Sequence, residues 1–294
     1  MKKNIFITGG TGFIGRNIKE QLGSKYSICA PSHAELELLD ESAVSNFLKK
    51  KKFDIVIHAA TWDAARNSKK DLTKVLPNNL RMFFNIAKYS DLYGKMIYLG
   101  SGAVYDRRHY IPRMKEEYFG IHIPGDDYGF SQYIMSKYTE KYDNIYGFRL
   151  FGVFGKHEDW EIRFISNACC RVVWGLPIAI KQNVFFDYMH IDDVVKITEW
   201  FIENEPRHKI YNVCTGSTVD LLTLAKKVLK TSSKSLDIEI AHKGLGKEYS
   251  GDNSLLLNEI GGYSFSDIDN CISELYSWYL ARKDSIDSSR LKTG

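Results

Sequence analysis

The sequence predicts an α/β fold, a doubly wound parallel sheet with a smaller C-terminal α/β lobe, and three observations carry that expectation. Short β-branched runs alternate with longer stretches of helical period through the first half of the chain, a glycine-rich turn follows the first run, and the pattern loosens from about residue 161 onward. Strands buried on both faces read as near-continuous apolar runs, as a parallel sheet covered by helices requires. The 294 residues, 44% hydrophobic and 26% charged, suffice for one substantial core and a second lobe.

In chain order, residues 4–8 form the first run and lead through glycines into a helical stretch at 12–22. A second run, 27–30, precedes a helix at 41–50, with Asp40 suited to cap its start and the lysines of 49–52 suited to the negative end of its dipole. Runs at 54–60 and 96–100 flank a helix at 78–90, a long helical stretch at 128–142 feeds an apolar run at 147–154, and 209–214 is placed to extend the sheet. Residues 1–160, with 183–215 returning to them, are thus expected to form the sheet domain. Residues 161–182 and 216–294 form the smaller lobe, punctuated by Gly175-Leu-Pro177, Gly244-Leu-Gly246 and Gly261-Gly262.

Composition excludes several function classes. Lys plus Arg 40 against Asp plus Glu 36 gives +4, too slight and dispersed to make nucleic acid or a membrane surface the partner. No run approaches the roughly 20 apolar residues of a membrane span; the best, 165–180, contains Asn167, Arg171 and Pro177. Lys2 and Lys3 precede an apolar stretch, but glycines interrupt it, which makes a poor signal peptide. Cys29, Cys169, Cys170, Cys214 and Cys271 are odd in number, lack CxxC spacing and sit mostly in apolar runs, so they are expected to be reduced and buried in a cytoplasmic protein.

Thr8-Gly9-Gly10-Thr11-Gly12-Phe13-Ile14-Gly15 sets GxxGxxG between a strand and a helix. The first glycine permits a tight turn, the second lets backbone approach a pyrophosphate, and the third lets helix and sheet pack closely. The helix start then offers N–H groups and partial positive charge to phosphates, which reads as a dinucleotide site.

These residues carry a family resemblance. With His58-Ala-Ala60, Asn79 and Asn85, Gly100-Ser-Gly-Ala-Val-Tyr105 and Tyr128-Gly-Phe-Ser131, the glycine turn resembles that of the extended short-chain dehydrogenase/reductases, the NAD-dependent epimerase/dehydratase family. Arg149-Leu-Phe-Gly-Val-Phe-Gly155, Asp187-Tyr-Met-His-Ile-Asp-Asp193 and Tyr211-Asn-Val213 extend the likeness over nearly the whole chain. It implies a Rossmann sheet, a nicotinamide cofactor and a nucleotide-linked sugar bound between the two lobes. It also implies a homodimer through a helix bundle that would include 79–90 and 128–142. Residues 35–40 are similar to the branch that holds GDP-fucose synthase and dTDP-4-dehydrorhamnose reductase.

The cofactor's identity turns on the end of the second strand, where NAD readers place a carboxylate for the ribose 2'-hydroxyl. Here Cys29-Ala-Pro-Ser-His33 offers none; Ser32 and His33, with Arg16 more distant, suit a 2'-phosphate, so NADP(H) is favoured and NAD(H) remains open. By resemblance Glu37 and Leu38 contact adenine, and Ala59, Ala60 and Thr61 line the pyrophosphate and nicotinamide ribose.

Ketone reduction needs an acid at the carbonyl oxygen, a second hydroxyl to orient it and a hydride donor on one face. In the resembled family these are Ser/Thr and Tyr-x-x-x-Lys. Ser101 matches the hydroxyl. Tyr128 matches the tyrosine motif but has Gln132 in the lysine position, whereas Tyr133 restores a lysine, Lys137, and loses the flanking glycine. Five residues on a helix turn the side chain by about 140° modulo a turn, so only one register serves the site. Starting at Tyr128 leaves a helix of about 22 Å against about 15 Å from Tyr133, and the longer one crosses a sheet; Tyr128 is therefore preferred. Gln132 can hydrogen-bond the nicotinamide ribose without supplying charge, so the phenol is expected to be less acidic, and turnover slower, than in the family.

The family's dehydratases carry an acid pair after the serine, where this chain has Gly102 and Ala103, and its epimerising reductases a cysteine where Ala103 stands. Simple reduction of a 4-keto-6-deoxy sugar nucleotide is the most economical expectation. A 4-epimerase with retained NAD is the rival enzyme, and a sensor or scaffold that binds NADP(H) without turnover is the alternative of another class. Toward substrate, Gly152 and Phe186 replace the family's Asn and phosphate-binding Arg; Arg163 could reach a diphosphate, and Phe185, Phe186 and Tyr188 could stack on a base. His190 and Asp192-Asp193 are expected to sit at a strand–helix junction, the carboxylates capping the helix rather than binding a metal, and His58 to be a packed histidine.

Overall fold

The computed structural model describes residues 2–62, 65, 67 and 69–291. Its centre is a parallel sheet of six strands: β1 (Asn4–Thr8), β2 (Ser27–Cys29), β3 (Phe53–His58), β4 (Tyr93–Ser101), β5 (Ile145–Leu150) and, far along the chain, Ile210–Val213. The last of these lies beside β5, and the order continues β4, β3, β1, β2. Period-two alternation sorts the side chains: Ile5, Ile7, Ile55 and Ile57 point to one core, Phe6 and Val56 to the other. Three helices cover the Phe6 face: α1 belongs to the opposite face and spans Phe13–Leu22, and then come α2 (Glu41–Lys50), α3 (Val75–Ala87) and α4 (Asp127–Thr139), which meet through Val44, Leu48, Phe83, Ile86 and Met135.

The rest of the chain makes β6 (Gly152–Phe154), α5 (Phe164–Val173), β7 (Ile178–Asn183), β8 (Phe185–Phe186), β9 (Tyr188–His190) and α6 (Ile191–Glu203). The sheet's late strand is β10, followed by β11 (Val219–Asp220), α7 (Leu221–Ser232), β12 (Ile238–Leu245), α8 (Ser254–Ile260) and α9 (Ile268–Leu280). Helix α6 joins α1 on the Ile5 face through Val194, Ile197 and Phe201. Helices α5, α7 and α9 pack with β7 around a separate core built on Cys169, Ile178, Leu224, Ile272 and Leu275.

Three elements depart from expectation for identifiable reasons. The run 147–154 is two strands, because after Phe151 the chain turns from the sheet and pairs β6 with β9, Gly152 N–H donating to the Asp187 carbonyl at 3.0 Å. The helix expected at 78–90 begins at Val75, with Pro77 in its first turn, where its missing N–H is harmless. The helix expected at 128–142 is Asp127–Thr139: the Asp126 carboxylate accepts from Gly129 N–H at 2.9 Å and fixes the start. Asp40 caps α2 as expected, accepting from Ala43 N–H at 2.9 Å.

The capping expected of Asp192 and Asp193 is a correction. His190 is the N-cap of α6, its Nδ1 facing the Asp192 N–H at 3.4 Å. Asp193 is buried and accepts from Tyr263, at 2.7 Å, and from Ser266, tying down the segment before α9. Asp192 faces outward and accepts from Gln21 at 2.7 Å. Among the described residues no helix is long and apolar enough to cross a membrane.

Candidate active site

A cavity of about 1330 Å³ opens over the carboxyl ends of β1, β3 and β4 and runs to the C-terminal lobe. Open parallel sheets place ligand clefts there, outside the strand ends where connections leave for opposite faces.

Its first wall is the glycine turn. Gly9 has φ +67°, and a methyl there would stand 2.8 Å from Ala60 N. A methyl on Gly15 would stand 2.4 Å from the Gly9 carbonyl oxygen, so the turn and helix can close only on glycine. The start of α1 has Gly12 as N-cap with no side chain bonded across it, while Thr11, Phe13 and Ile14 line the cavity. The first-turn N–H groups therefore face a space shaped for a phosphate, and the turn fits a dinucleotide.

Ala59, Ala60 and Thr61 form the facing wall, pinned from below. Thr8 Oγ1 accepts from Ala60 N–H at 3.2 Å and meets His58 Nδ1 at 3.0 Å. Burial depresses the His58 pKa to about 4, so the ring is a neutral, packed histidine that also borders the cavity. From α3, Asn79 accepts from Trp62 N–H at 2.6 Å and from the Thr61 hydroxyl at 3.3 Å.

At the adenosine end His33, Glu37 and Leu38 line the cavity, and Ser32 and Arg16 do not. Both donors of Ser32, its N–H and hydroxyl, go to Glu35 Oε2 at 2.7 and 2.8 Å, which holds that carboxyl below its usual range. His33 pairs with Glu37 at 3.1 Å, and Arg16 with Glu20 at 2.8 Å.

Ser101 ends β4, its hydroxyl oxygen accepting from Ala103 N–H at 3.1 Å as the chain enters a tight turn. Tyr128 sits in the first turn of α4, and Gln132 follows one turn later; all three border the cavity. Gln132 is buried and its carbonyl accepts from the Tyr98 hydroxyl. Burial pushes the Tyr98 phenol well above its usual pKa, so it remains a donor. Held through its oxygen, Gln132 has its two amide N–H groups to offer elsewhere. Tyr133 instead packs at a tilt against Phe119, ring centroids 4.9 Å apart, and Lys137 pairs with Glu140 at 2.8 Å, both away from the cavity lining. A buried cation, Arg149, to which the sequence reading gave no role of its own stands behind α4. Arg149 donates to Tyr105 at 2.9 Å and to Ser136 at 3.2 Å, lies 4.1 Å from the Phe119 ring, and opposes the rise in Tyr98 pKa.

Of the residues expected toward substrate, Gly152, Arg163 and Phe186 line the cavity and Gly102 and Phe185 do not. A methyl on Gly152 would meet the Asp187 carbonyl at 2.5 Å and the Tyr188 ring at 2.9 Å. A methyl on Gly102 would meet the Tyr249 hydroxyl at 2.7 Å. Phe185 serves through its backbone, its carbonyl accepting from Tyr249 N–H at 3.0 Å. Tyr188, Tyr249 and Glu158 complete this end. Glu158 is buried, accepts from the Ser166 hydroxyl at 2.5 Å, and has its pKa pushed up to about 8 by desolvation. No sequence signal marks Tyr249 or Glu158, since neither belongs to a motif.

Known proteins resemble this chain in sequence and in fold. Residues 5–214 match the model of the NAD dependent epimerase/dehydratase family. ADP-L-glycero-D-manno-heptose-6-epimerase of Brachyspira hyodysenteriae is 28% identical over 80% of this chain and 83% of its own. GDP-L-fucose synthase of Escherichia coli is 23% identical over 96% of this chain and 98% of its own. The structure of GDP-mannoheptose C4 reductase from Campylobacter jejuni with NADP bound superposes with a TM-score of 0.81 at 19% identity, covering 95% of this chain and 98% of that one. With a family match over residues 5–214, most of its length, the chain belongs to the NAD dependent epimerase/dehydratase family.

Proposed function

We propose that the chain reduces the ketone of a nucleotide-linked 4-keto-6-deoxy sugar with a nicotinamide cofactor. The observation that carries this reading is convergence: Ser101 from β4 and Tyr128 from α4 border the cavity that also holds the glycine turn. Its far end offers Arg163 for a diphosphate and Phe186 and Tyr188 for a base. The cofactor supplies the hydride when bound, and Gly9, Thr11, Gly12, Phe13 and Ile14 would hold its pyrophosphate; Gly15, expected among them, does not line the cavity and lets the turn close behind them. Ser101 hydrogen-bonds the carbonyl oxygen and orients it. Tyr128 delivers the proton to that oxygen as the hydride reaches carbon, and regains one from solvent through the cavity. The Gln132 amide, held by Tyr98, donates toward the nicotinamide ribose.

The two carboxylates at the adenosine end, Glu35 on Ser32 and Glu37 on His33, support a free ribose 2'-hydroxyl and hence NAD(H), over the NADP(H) that the missing strand-end carboxylate suggests. Gln132 in place of a lysine favours a second reading, a protein that binds cofactor without turning it over.

The test is oxidation of NADPH and NADH with CDP-, dTDP-, GDP- and UDP-linked 4-keto sugars, for the native chain, Tyr128→Phe and Tyr133→Phe. Reduction that falls about 10²-fold or more in Tyr128→Phe and is retained in Tyr133→Phe is the expected result. Loss confined to Tyr133→Phe overturns the register. Interconversion of two sugars without net cofactor oxidation makes the chain an epimerase, and binding without either reaction leaves the sensor.

A further inference from the structure

Where β6 leads into α5, the cavity wall holds a carboxyl that the proposed reaction does not use. Glu158 lines the cavity yet is only 7% exposed. Its Oε2 accepts from the Ser166 hydroxyl at 2.5 Å; among the described residues Oε1 has no hydrogen-bond partner and the carboxyl is in no ion pair. The loop that carries it is fastened at several points. Asn17 donates to the Lys156 carbonyl at 2.8 Å, Glu158 N–H to the Gly155 carbonyl at 3.3 Å, and Asn167 to the Glu161 carbonyl at 2.7 Å. A desolvated carboxyl outside any ion pair keeps its proton, and burial pushes the Glu158 pKa up to about 8. The surroundings are otherwise built for an anion. Arg163, exposed and in no ion pair among the described residues, lines the same cavity as the N-cap of α5, with Ile162 and Phe164 beside it. No side chain is bonded across the start of that ten-residue helix, so its first-turn N–H groups add partial positive charge. A carboxylate there would repel the anion that Arg163 attracts, whereas a protonated carboxyl has an O–H to give it.

We propose that Glu158 is a binding residue for the diphosphate of the nucleotide-linked sugar, its carboxyl O–H donating from Oε1 to a phosphate oxygen while Oε2 holds the Ser166 hydroxyl. The inference rests on the reading of Arg163 as a diphosphate residue and adds to it a proton that must be in place for the ligand to bind. Binding is therefore gated by pH. The diphosphate diester of a sugar nucleotide stays ionised across the neutral and mildly alkaline range, so the change comes from the protein. The groups that face Glu158 are Asp159 and Arg163 from its own loop, Ser166, Cys169 and Cys170 from α5, Tyr188 from β9 and Tyr279 from α9. Burial raises both thiols and both phenols well above their usual values, so they keep their protons where Glu158 loses its own.

The test is calorimetric binding of CDP-, dTDP-, GDP- and UDP-glucose, read on whichever binds tightest, for the native chain, Glu158→Gln and Ser166→Ala. NADH binding is followed by fluorescence over the same pH range. Only the protonated fraction binds, and one unit above its pKa about one carboxyl in eleven keeps its proton, so native affinity should fall about tenfold between about pH 7 and 9. NADH affinity should not follow it. Glu158→Gln keeps a neutral donor beside Ser166 and should abolish the fall. Ser166→Ala withdraws a hydrogen bond that favours the carboxylate, so the fall should move to higher pH. A native affinity that stays flat, or that rises with pH as a carboxylate receiving sugar hydroxyls would give, overturns the proposal. A fall that persists in Glu158→Gln, or that NADH shares, does the same. Binding gated in this way without reduction of any 4-keto sugar leaves the inference standing and fails the reductase reading alone; binding of none of the four ends the diphosphate reading and the inference together.

Discussion

The two ends of the cavity are built by different means. At the end proposed for the cofactor the surface is backbone: Gly9 and Gly12 line the cavity in a turn that Gly15, within the same seven residues of sequence, lets close, and Ala59 and Ala60 face them. At the substrate end the surface is side chain, brought from five separate places: Ser101, Tyr128, Glu158, Tyr188 and Tyr249. Where the family's polar contacts would stand, glycines at 102 and 152 make way for tyrosines delivered from elsewhere. A backbone cradle tolerates almost no change and reads the same invariant phosphate chemistry; a side-chain wall can be rebuilt by substitution at a distance.

The sharpest way to break that contrast is Gly15→Ala. The added methyl meets the Gly9 carbonyl oxygen at 2.4 Å, and backbone cannot step aside as a flexible side chain does. Forcing an atom into a packed contact costs about 1–3 kcal/mol, so cofactor affinity should fall about 10- to 100-fold. Fluorescence titration reads this, and an unchanged affinity would mean the turn is not the pyrophosphate cradle.

Tyr98→Phe probes the seam between the two ends. It leaves the buried Gln132 carbonyl without its donor, at a cost of about 1–3 kcal/mol in stability, and frees the amide to turn. Melting should fall by several degrees and kcat by about tenfold, whereas Tyr133→Phe, on the outer face of α4, should change neither.

The legibility of the molecule follows the same division. The strands, α2 with its Asp40 cap, and the glycine turn could be read because each depends on residues close together in sequence. The start of α4 near residue 128 was legible from helix length, and the Asp126 cap fixes it at Asp127. Tyr249 was not legible: its place depends on backbone pairing with residues 185–187 and on the void at Gly102, neither of which leaves a local pattern. The role of Asp193 was missed for the same reason, since its partners Tyr263 and Ser266 lie some 70 residues on. Ser32 was placed correctly in the loop after β2, but Glu35, which engages both its donors, showed no sign of doing so.

A pH profile compares the two ends through one buried group each. Glu158, at the other end, has its folded pKa raised by burial to about 8 from the usual 4.5, so its contribution to stability is complete below about 4.5 and is lost as pH rises through 8. His58, behind the cofactor wall, has its folded pKa lowered to about 4 from 6.5, so its contribution is complete above about 6.5 and is lost as pH falls through 4. Between about 4.5 and 6.5 the two slopes oppose one another, and above that only Glu158 acts. Thermal melting should decline from about pH 6.5 to 8, and Glu158→Gln should flatten that limb and, with the opposing slope gone, steepen the rise between about pH 4.5 and 6.5 that His58 provides. A native alkaline limb that survives the substitution would locate the titrating group elsewhere.

The smallest expected effect decides the cofactor. Glu35 is exposed, so removing its charge disturbs no core, yet its carboxylate holds both donors of Ser32. In Glu35→Gln the amide accepts less strongly and carries no charge, which releases Ser32 and removes a repulsion that a 2'-phosphate would meet. An exposed interaction in water contributes little, so the ratio of kcat/KM for NADPH over NADH should rise only about three- to fivefold. The direction is the informative part. A rise places the cofactor's 2'-position beside Ser32 and makes Glu35 the selector for NAD(H). A ratio that stays fixed would leave His33 and Glu37, which line the cavity, as the pair that sets the preference, and would give the adenosine end the side-chain character found at the substrate end.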